Sequence, residues 1–277
     1  LTLDSNIQYL IRDQLLLSQS DFNYIGSSSI LMDVNNGEIL SMVSLPDFDL
    51  NIRKKIDDEI YINRATKAVY ELGSVFKTFT YTAGLNEKVI KENTLFKELE
   101  KKIRCGKNSI GEYDNKIPSN LTAEEILIRS GNIGSVRIAQ LIGLEKFSSF
   151  LEKIGVSDKI SFDIEEVGQP LPIKWGKCKL ATSSFGHGIT TTLIQLAKGY
   201  AIISNGGYVI NPTIIKKNNV NFKVKKRVLN NGISEKINLA LRKVVTSKDG
   251  TANFANIQGY EIAGKTGTAQ KSIDGKY

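Results

Sequence analysis

Histidine and cysteine are nearly absent from this chain: one histidine, His187, and two cysteines, Cys105 and Cys178, in 277 residues. A zinc site built from His and Cys needs about four such ligands at short spacings, so metal chemistry of that kind is excluded. A disulfide framework is not expected either; the two cysteines could pair with each other, but two free thiols are the favoured reading. Any Ser-His-Asp hydrolase would have to use His187 as its base. No run approaches the roughly 18 to 20 apolar residues of a membrane helix. The chain begins at Leu1 and carries no signal-peptide pattern, so it reads as a piece of something longer.

What is present is ordinary for a globular protein: 41% hydrophobic and 24% charged residues. Disorder, collagen and coiled coil are thereby excluded for the whole chain. The net charge of +8 attracts anionic partners. Its densest stretch, Lys223, Lys225, Lys226 and Arg227, alternates with Phe222, Val224 and Val228, as a strand with one solvated face does. Aromatics are not interleaved as in a single-strand binder, and no nucleic acid is expected.

The pattern along the chain is strands, a helical middle, then strands. Ser5 to about Leu17 is predicted helical, with Ser5 and Gln8 as a capping box. Ser29–Val34 and Glu38–Ser44 form a hairpin around Asn35-Asn36-Gly37. A helix follows from Ser74 to about Leu85, and residues 101–120 read as loop. Capping boxes Thr122/Glu125 and Thr192/Gln195 open helices ending near Arg129 and Ser204. Ser130-Gly131-Asn132 breaks the middle, and Ile133–Ile142 continues as helix. A second hairpin is expected from Tyr208–Ile215 and Asn221–Leu229, then a helix Ser234–Val245 and a strand Tyr260–Ala269. This is an α+β order: a helical subdomain, approximately 62–205, is inserted in an α/β region formed by residues 1–61 and 206–277.

Three motifs carry chemistry: Ser74-Val-Phe-Lys77, Ser130-Gly-Asn132 and Lys265-Thr-Gly267. Each of the first two is expected on the order of once by chance in such a chain, and the third less often. Their order and local settings make the set informative. Serine is a poor nucleophile until a base takes its proton. Ser74 and Lys77 lie one turn apart at a helix start, so the amine can reach the hydroxyl. Lysine becomes a base when burial and a second ammonium, here Lys265, lower its pKa. Ser130 can pass a proton to a leaving amine, and the Asn132 amide can hold a substrate carbonyl. Gly264 and Gly267 permit close backbone approach on a strand, where a peptide could pair. Lys265, Thr266 and Thr268 present donors to a carboxylate, and the N–H groups of Ser74 and Thr268 suit an oxyanion hole.

This ordered set is that of penicillin-binding proteins and class A β-lactamases. The chain resembles the transpeptidase domain of class B penicillin-binding proteins of the division (FtsI-like) type. Likeness extends to Leu1–Gln8, Asp33–Met42, Asn63–Ser74, Phe185–Ala197 and Ser204–Gly207, and so covers essentially all of the chain. Leu72 and Leu193 stand where the family usually has proline. The resemblance implies a penicillin-binding fold, with an antiparallel sheet flanked by helices and an all-helical subdomain. The family's last strands and C-terminal helix would fall beyond Tyr277. It further implies a serine D,D-transpeptidase that crosslinks peptidoglycan stem peptides and is acylated by β-lactams, without metal or cofactor. The implied setting is the periplasmic face of the bacterial inner membrane, with an N-terminal anchor outside this chain and cell-division membrane proteins as partners.

Two rivals are weaker. Gly259–Thr266 matches the phosphate-loop pattern, and Asp33 ends a strand, but no strand precedes Gly259 and no helix is expected after Thr266. A β-lactamase would deacylate through a glutamate between the second and third motifs. Glu165 and Glu166 lie there, but Val167-Gly-Gln-Pro170 lacks the accompanying asparagine, so both read as solvated carboxylates. A D,D-carboxypeptidase and a non-turnover β-lactam sensor share the three motifs.

Overall fold

The computed structural model describes every residue except 53, 54, 56, 107, 158, 177, 217–225 and 270–277. In chain order the helices are α1 (Ser5–Phe22), α2 (Asp58–Tyr61), α3 (Lys77–Asn86), α4 (Ala123–Ile128), α5 (Asn132–Ile142), α6 (Leu144–Ile154), α7 (Lys179–Ser183), α8 (Leu193–Ser204) and α9 (Ile233–Thr246). The strands are β1 (Ser27–Met32), β2 (Ile39–Leu45), β3 (Val69–Glu71), β4 (Leu95–Phe96), β5 (Lys102–Cys105), β6 (Asn108–Gly111), β7 (Leu121–Thr122) and β8 (Thr190–Thr192). The α+β mixture expected from the sequence is present.

Two compact units interleave in sequence: Leu1–Tyr70 with Ile154–Pro170 and Thr191–Lys226, and Glu71–Lys153 with Leu171–Thr190 and Arg227–Tyr277. The helical insertion 62–205 is a different partition, drawn by element type instead of compactness. We retain it as a proposal about organisation.

In the first unit, β1 and β2 pair antiparallel from Ser27↔Leu45 to Met32↔Ile39, with an irregularity at Leu31/Met32. Alternation in β2 buries Ile39, Ser41, Val43 and Leu45, as a period of two requires of a half-buried strand. Ile39, Ile160, Val167 and Ile194 form the apolar centre. The predicted Ser5/Gln8 capping box does not form. Asp4 is the N-cap, its carboxylate accepting from the N–H groups of Asn6 and Ile7 at 2.9 and 3.0 Å. Gln8 turns instead to β2, where its Oε1 accepts from Ser41 Oγ and Met42 N, both at 2.9 Å. A carboxylate one residue upstream outcompetes the hydroxyl for the helix N-terminus.

In the second unit, α3 is buried on all sides from Lys77 to Leu85, which marks a central helix. It packs against α4, α5 and α9. The Thr122/Glu125 box opens α4 with both reciprocal bonds present. In the first unit, the Thr192/Gln195 box opens α8 in the same way. Such caps contribute about 1 kcal/mol each.

Three expectations need correction in the second unit. Residues 101–120 are not all loop, since β5 and β6 form an antiparallel hairpin from Lys102↔Gly111 to Cys105↔Asn108. The cysteines are not free thiols. Cys105 and Cys178 form a disulfide across 73 residues, because the hairpin brings Cys105 to the segment before α7. Tyr260–Ala269 forms no strand among the described residues. Its backbone instead meets α9: Gly264 N donates to Leu241 O at 3.2 Å, and Ile262 O accepts from Arg242 at 2.6 Å.

The expected hairpin of Tyr208–Ile215 with Asn221–Leu229 is only partly described, because 221–225, with Lys223 and Lys225, lie outside the described residues; Tyr208–Ile215 forms no strand. Val209 N donates to Lys226 O at 2.8 Å. Around the phosphate-loop pattern, a short 3-10 turn Asn253–Ala255 precedes Gly259, and no helix follows Thr266 among the described residues.

Candidate active site

Ser74 lies on a 3-10 turn, Gly73–Phe76, that runs into α3. The α-helix proper starts at Lys77, later than the sequence predicts, and the tighter turn sets Ser74 just ahead of the lysine. Gly73 has φ 57°, and a Cβ there would strike the Thr268 carbonyl oxygen. Gly186 has φ 86° and would strike the Gly73 backbone in the same way. Glycines at these two positions let three segments stack around the serine. Gly267 adds a third close approach, because a Cβ on it would lie 2.6 Å from Leu72 O.

Lys77 is 1% exposed. Its ammonium donates to the Ser130 carbonyl oxygen and, at 3.1 Å, to Ser130 Oγ. Lys265 Nζ donates to the same Oγ at 2.8 Å and to Thr266 O at 3.0 Å. One hydroxyl therefore bridges two amines. Burial pushes Lys77 well below the ordinary lysine value, the charge of Lys265 adds to the fall, and Glu112 opposes it. Burial pushes Lys265 down to about 8.

Ser130 follows α4 in a left-handed conformation, φ 57°, which costs a non-glycine residue about 1 kcal/mol or more. Asn132 begins α5, and its Nδ2 donates to Gly111 O at 2.9 Å. An amide nitrogen has a second hydrogen to offer a substrate. Thr266 Oγ1 and Thr251 Oγ1 are hydrogen-bonded at 2.8 Å.

A cavity of about 550 Å³ opens on this cluster, walled by Ser74, Ser130, Asn132, Thr266, Gly267 and Thr268 among others. All its walls belong to the second unit. Every residue singled out from the three motifs thus comes to one place: six line the cavity, and Lys77 and Lys265 join them through Ser130. His187 also lines it, its Nδ1 3.4 Å from Glu71 Oε2 and its ring stacked on Phe185. Glu166 does not. It accepts from Asn63 N at 3.1 Å and borders a separate cavity of about 280 Å³ in the first unit.

Sequence reasoning missed Glu112, Tyr113 and Thr251. The first two follow β6, and the alternation Lys102-Ile-Arg-Cys with Gly106 was the signal for that hairpin. Thr251 carried no signal of its own.

The family described as penicillin binding protein transpeptidase domain matches residues 28–277. The chain is 31% identical to a probable peptidoglycan D,D-transpeptidase FtsI of Caulobacter vibrioides, over 98% of this chain and 46% of that protein. It is 32% identical to stage V sporulation protein D of Bacillus subtilis, over 100% of this chain and 45% of that protein. The chain thus spans about half the length of these curated relatives. A solved structure of the TP domain of penicillin-binding protein 3 from Burkholderia pseudomallei superposes with TM-score 0.88 at 28% identity, covering 100% of this chain and 79% of that one.

Proposed function

The chain belongs to the penicillin-binding protein transpeptidase family, in its class B, division-type branch, and on that premise we propose that it is a peptidoglycan D,D-transpeptidase working through a Ser74 acyl-enzyme. Neutral Lys77 takes the Ser74 proton as Oγ attacks the carbonyl of the terminal D-Ala–D-Ala bond. The N–H groups of Ser74 and Thr268 receive the oxyanion. The proton passes from Lys77 through the Ser130 hydroxyl to the departing D-Ala amine, which leaves as the C–N bond breaks. Protonated Lys265 holds Ser130 Oγ in place and lowers the cost of that transfer. Asn132 donates to the stem-peptide backbone, and Thr266 and Thr268 with Lys265 receive the terminal carboxylate, while Gly267 leaves room for it. An amine of a neighbouring stem then attacks the ester, forms the crosslink and frees Ser74. No metal or cofactor enters these steps.

One observation carries the reading: a buried Lys77 shares Ser130 Oγ with Lys265, and Ser130 lines the same cavity as Ser74. The same atoms suit β-lactams as acylating ligands. By kinship with the division-type relatives we assign a role in septal wall synthesis at the periplasmic face of the inner membrane, beside other division proteins.

The test is the lifetime of the benzylpenicillin adduct, followed by intact mass. A transferase keeps water unactivated near its ester, so the adduct is expected to persist for many minutes. Glu166→Gln should leave that lifetime unchanged, since Glu166 borders another cavity. Rapid turnover that collapses in this variant would make the protein a β-lactamase instead.

A further inference from the structure

We propose that Glu112 is a positioning residue for acyl transfer, clamping the Arg129–Ile133 turn so that Ser130 and Asn132 face the nucleophile. The inference rests on the Ser74 acyl-transfer reading. Its basis is a set of bonds made by three consecutive residues at the end of β6. Glu112 Oε2 accepts from Asn132 N at 2.6 Å, and Oε1 accepts from Ile133 N at 2.9 Å. Gly111 O accepts the Asn132 side chain, and Tyr113 Oη donates to Arg129 O at 3.0 Å. Four hydrogen bonds thus grip the five-residue turn from one side.

The turn needs that grip. Ser130 sits at φ 57°, and such a conformation persists only where its surroundings over-determine it. Gly131, the N-cap of α5, makes no side-chain cap bond, so the Glu112 carboxylate satisfies the first N–H groups of that helix. Holding Ser130 is what keeps its carbonyl and hydroxyl on Lys77.

Glu112 also acts on the base through its charge. Among the groups facing Lys77 are the Lys265 ammonium, Ser130, the Tyr113 ring 6.0 Å away and Glu112 itself. Burial and then the Lys265 charge drive the Lys77 proton off, and the Glu112 carboxylate is the counterweight. Tyr113 is pushed up first by burial, then by Asp114 and Glu112, with Arg129 opposing. A neutral side chain at 112 therefore leaves Lys77 easier to deprotonate, while loosening the turn that aims it.

The two effects separate in a pH–rate profile of Ser74 acylation by benzylpenicillin. In Glu112→Gln the acid limb should move to lower pH, and the plateau should fall roughly 10- to 100-fold, the scale of losing charge-assisted bonds. Glu112→Asp keeps the charge, so its acid limb should stay near the wild-type position even if its plateau drops. Glu112→Ala should lose more rate than Gln, with the limb displaced the same way. Should Ala fail to fold, Gln alone decides. A Glu112→Gln protein with wild-type plateau and wild-type limb overturns the role of Glu112. A wild-type protein that takes no adduct on Ser74 overturns the acyl-transfer reading instead, and the proposal with it.

Discussion

Lys77 in the second unit and Lys198 in the first are both held below the ordinary lysine value by burial. Lys198 lies on α8 against Gly155, and its ammonium donates to Asn211 Oδ1 at 2.9 Å. That partner only accepts, so it rewards the charged form, and burial is the cause of its depression. Lys77 faces a hydroxyl that can accept from an ammonium or donate to a neutral amine, and Lys265 pushes on it from beyond that hydroxyl. Burial alone makes a lysine reluctant to ionise. A base also needs a neighbour that can trade protons with it.

Removing the group that the base acts on has the largest expected effect. Ser74→Ala should abolish the covalent benzylpenicillin adduct entirely, as intact mass reads it. Next in size, Lys77→Ala should slow acylation roughly 10²- to 10⁴-fold, the range of general-base catalysis. Lys198→Ala should change the acylation rate less than about twofold, since it reaches none of the proton-relay atoms. Equal losses in the two lysine variants would dissolve the distinction.

The pH dependence sharpens it further. Acylation should rise as Lys77 loses its proton and decline as Lys265 loses its own near pH 8, giving a bell whose limbs belong to the coupled pair. Lys265→Arg should move the alkaline limb upward, because guanidinium keeps its charge. Stability carries the same signature with a definite sign. The folded-state pKa of Lys265, about 8, lies below the unfolded value of 10.5, so the unfolded chain binds more protons between them. Its unfavourable contribution is full below about pH 8 and disappears as pH approaches 10.5. Urea unfolding at about pH 7.5 and about pH 10, on either side of most of that window, should show a smaller rise for Lys265→Met than for wild type. At His187 the expected effect lies between those of the two lysine variants. His187→Ala should alter acylation by less than about tenfold, and a loss as large as that of Lys77→Ala would move the base role to the imidazole.

How far the sequence reached follows from the range of the forces involved. Ser74/Lys77 and both true capping boxes are set by residues three apart, so spacing alone places them. The Ser130–Asn132 break was legible as a helix interruption, but its left-handed serine was not, because Glu112 reaches that turn from a distant stretch of the chain. The disulfide and Thr251 depend on segments that meet only in the folded chain. The strand expected at Tyr260–Ala269 had the right alternation, yet a ladder needs a partner, and α9 takes its backbone bonds instead. Ser5 lost its cap to Asp4 because a carboxylate stands one residue earlier.

The central claim is that Ser74 is the nucleophile and Lys77 makes it one. Peptide-mapping mass spectrometry after brief benzylpenicillin treatment tests it most directly, run on wild type and Lys77→Ala at matched times. The expected result is one adduct on the peptide containing Ser74 in the wild type, near stoichiometric, and almost none in the variant. An adduct on another residue, or equal Ser74 labelling in both proteins, would contradict the account.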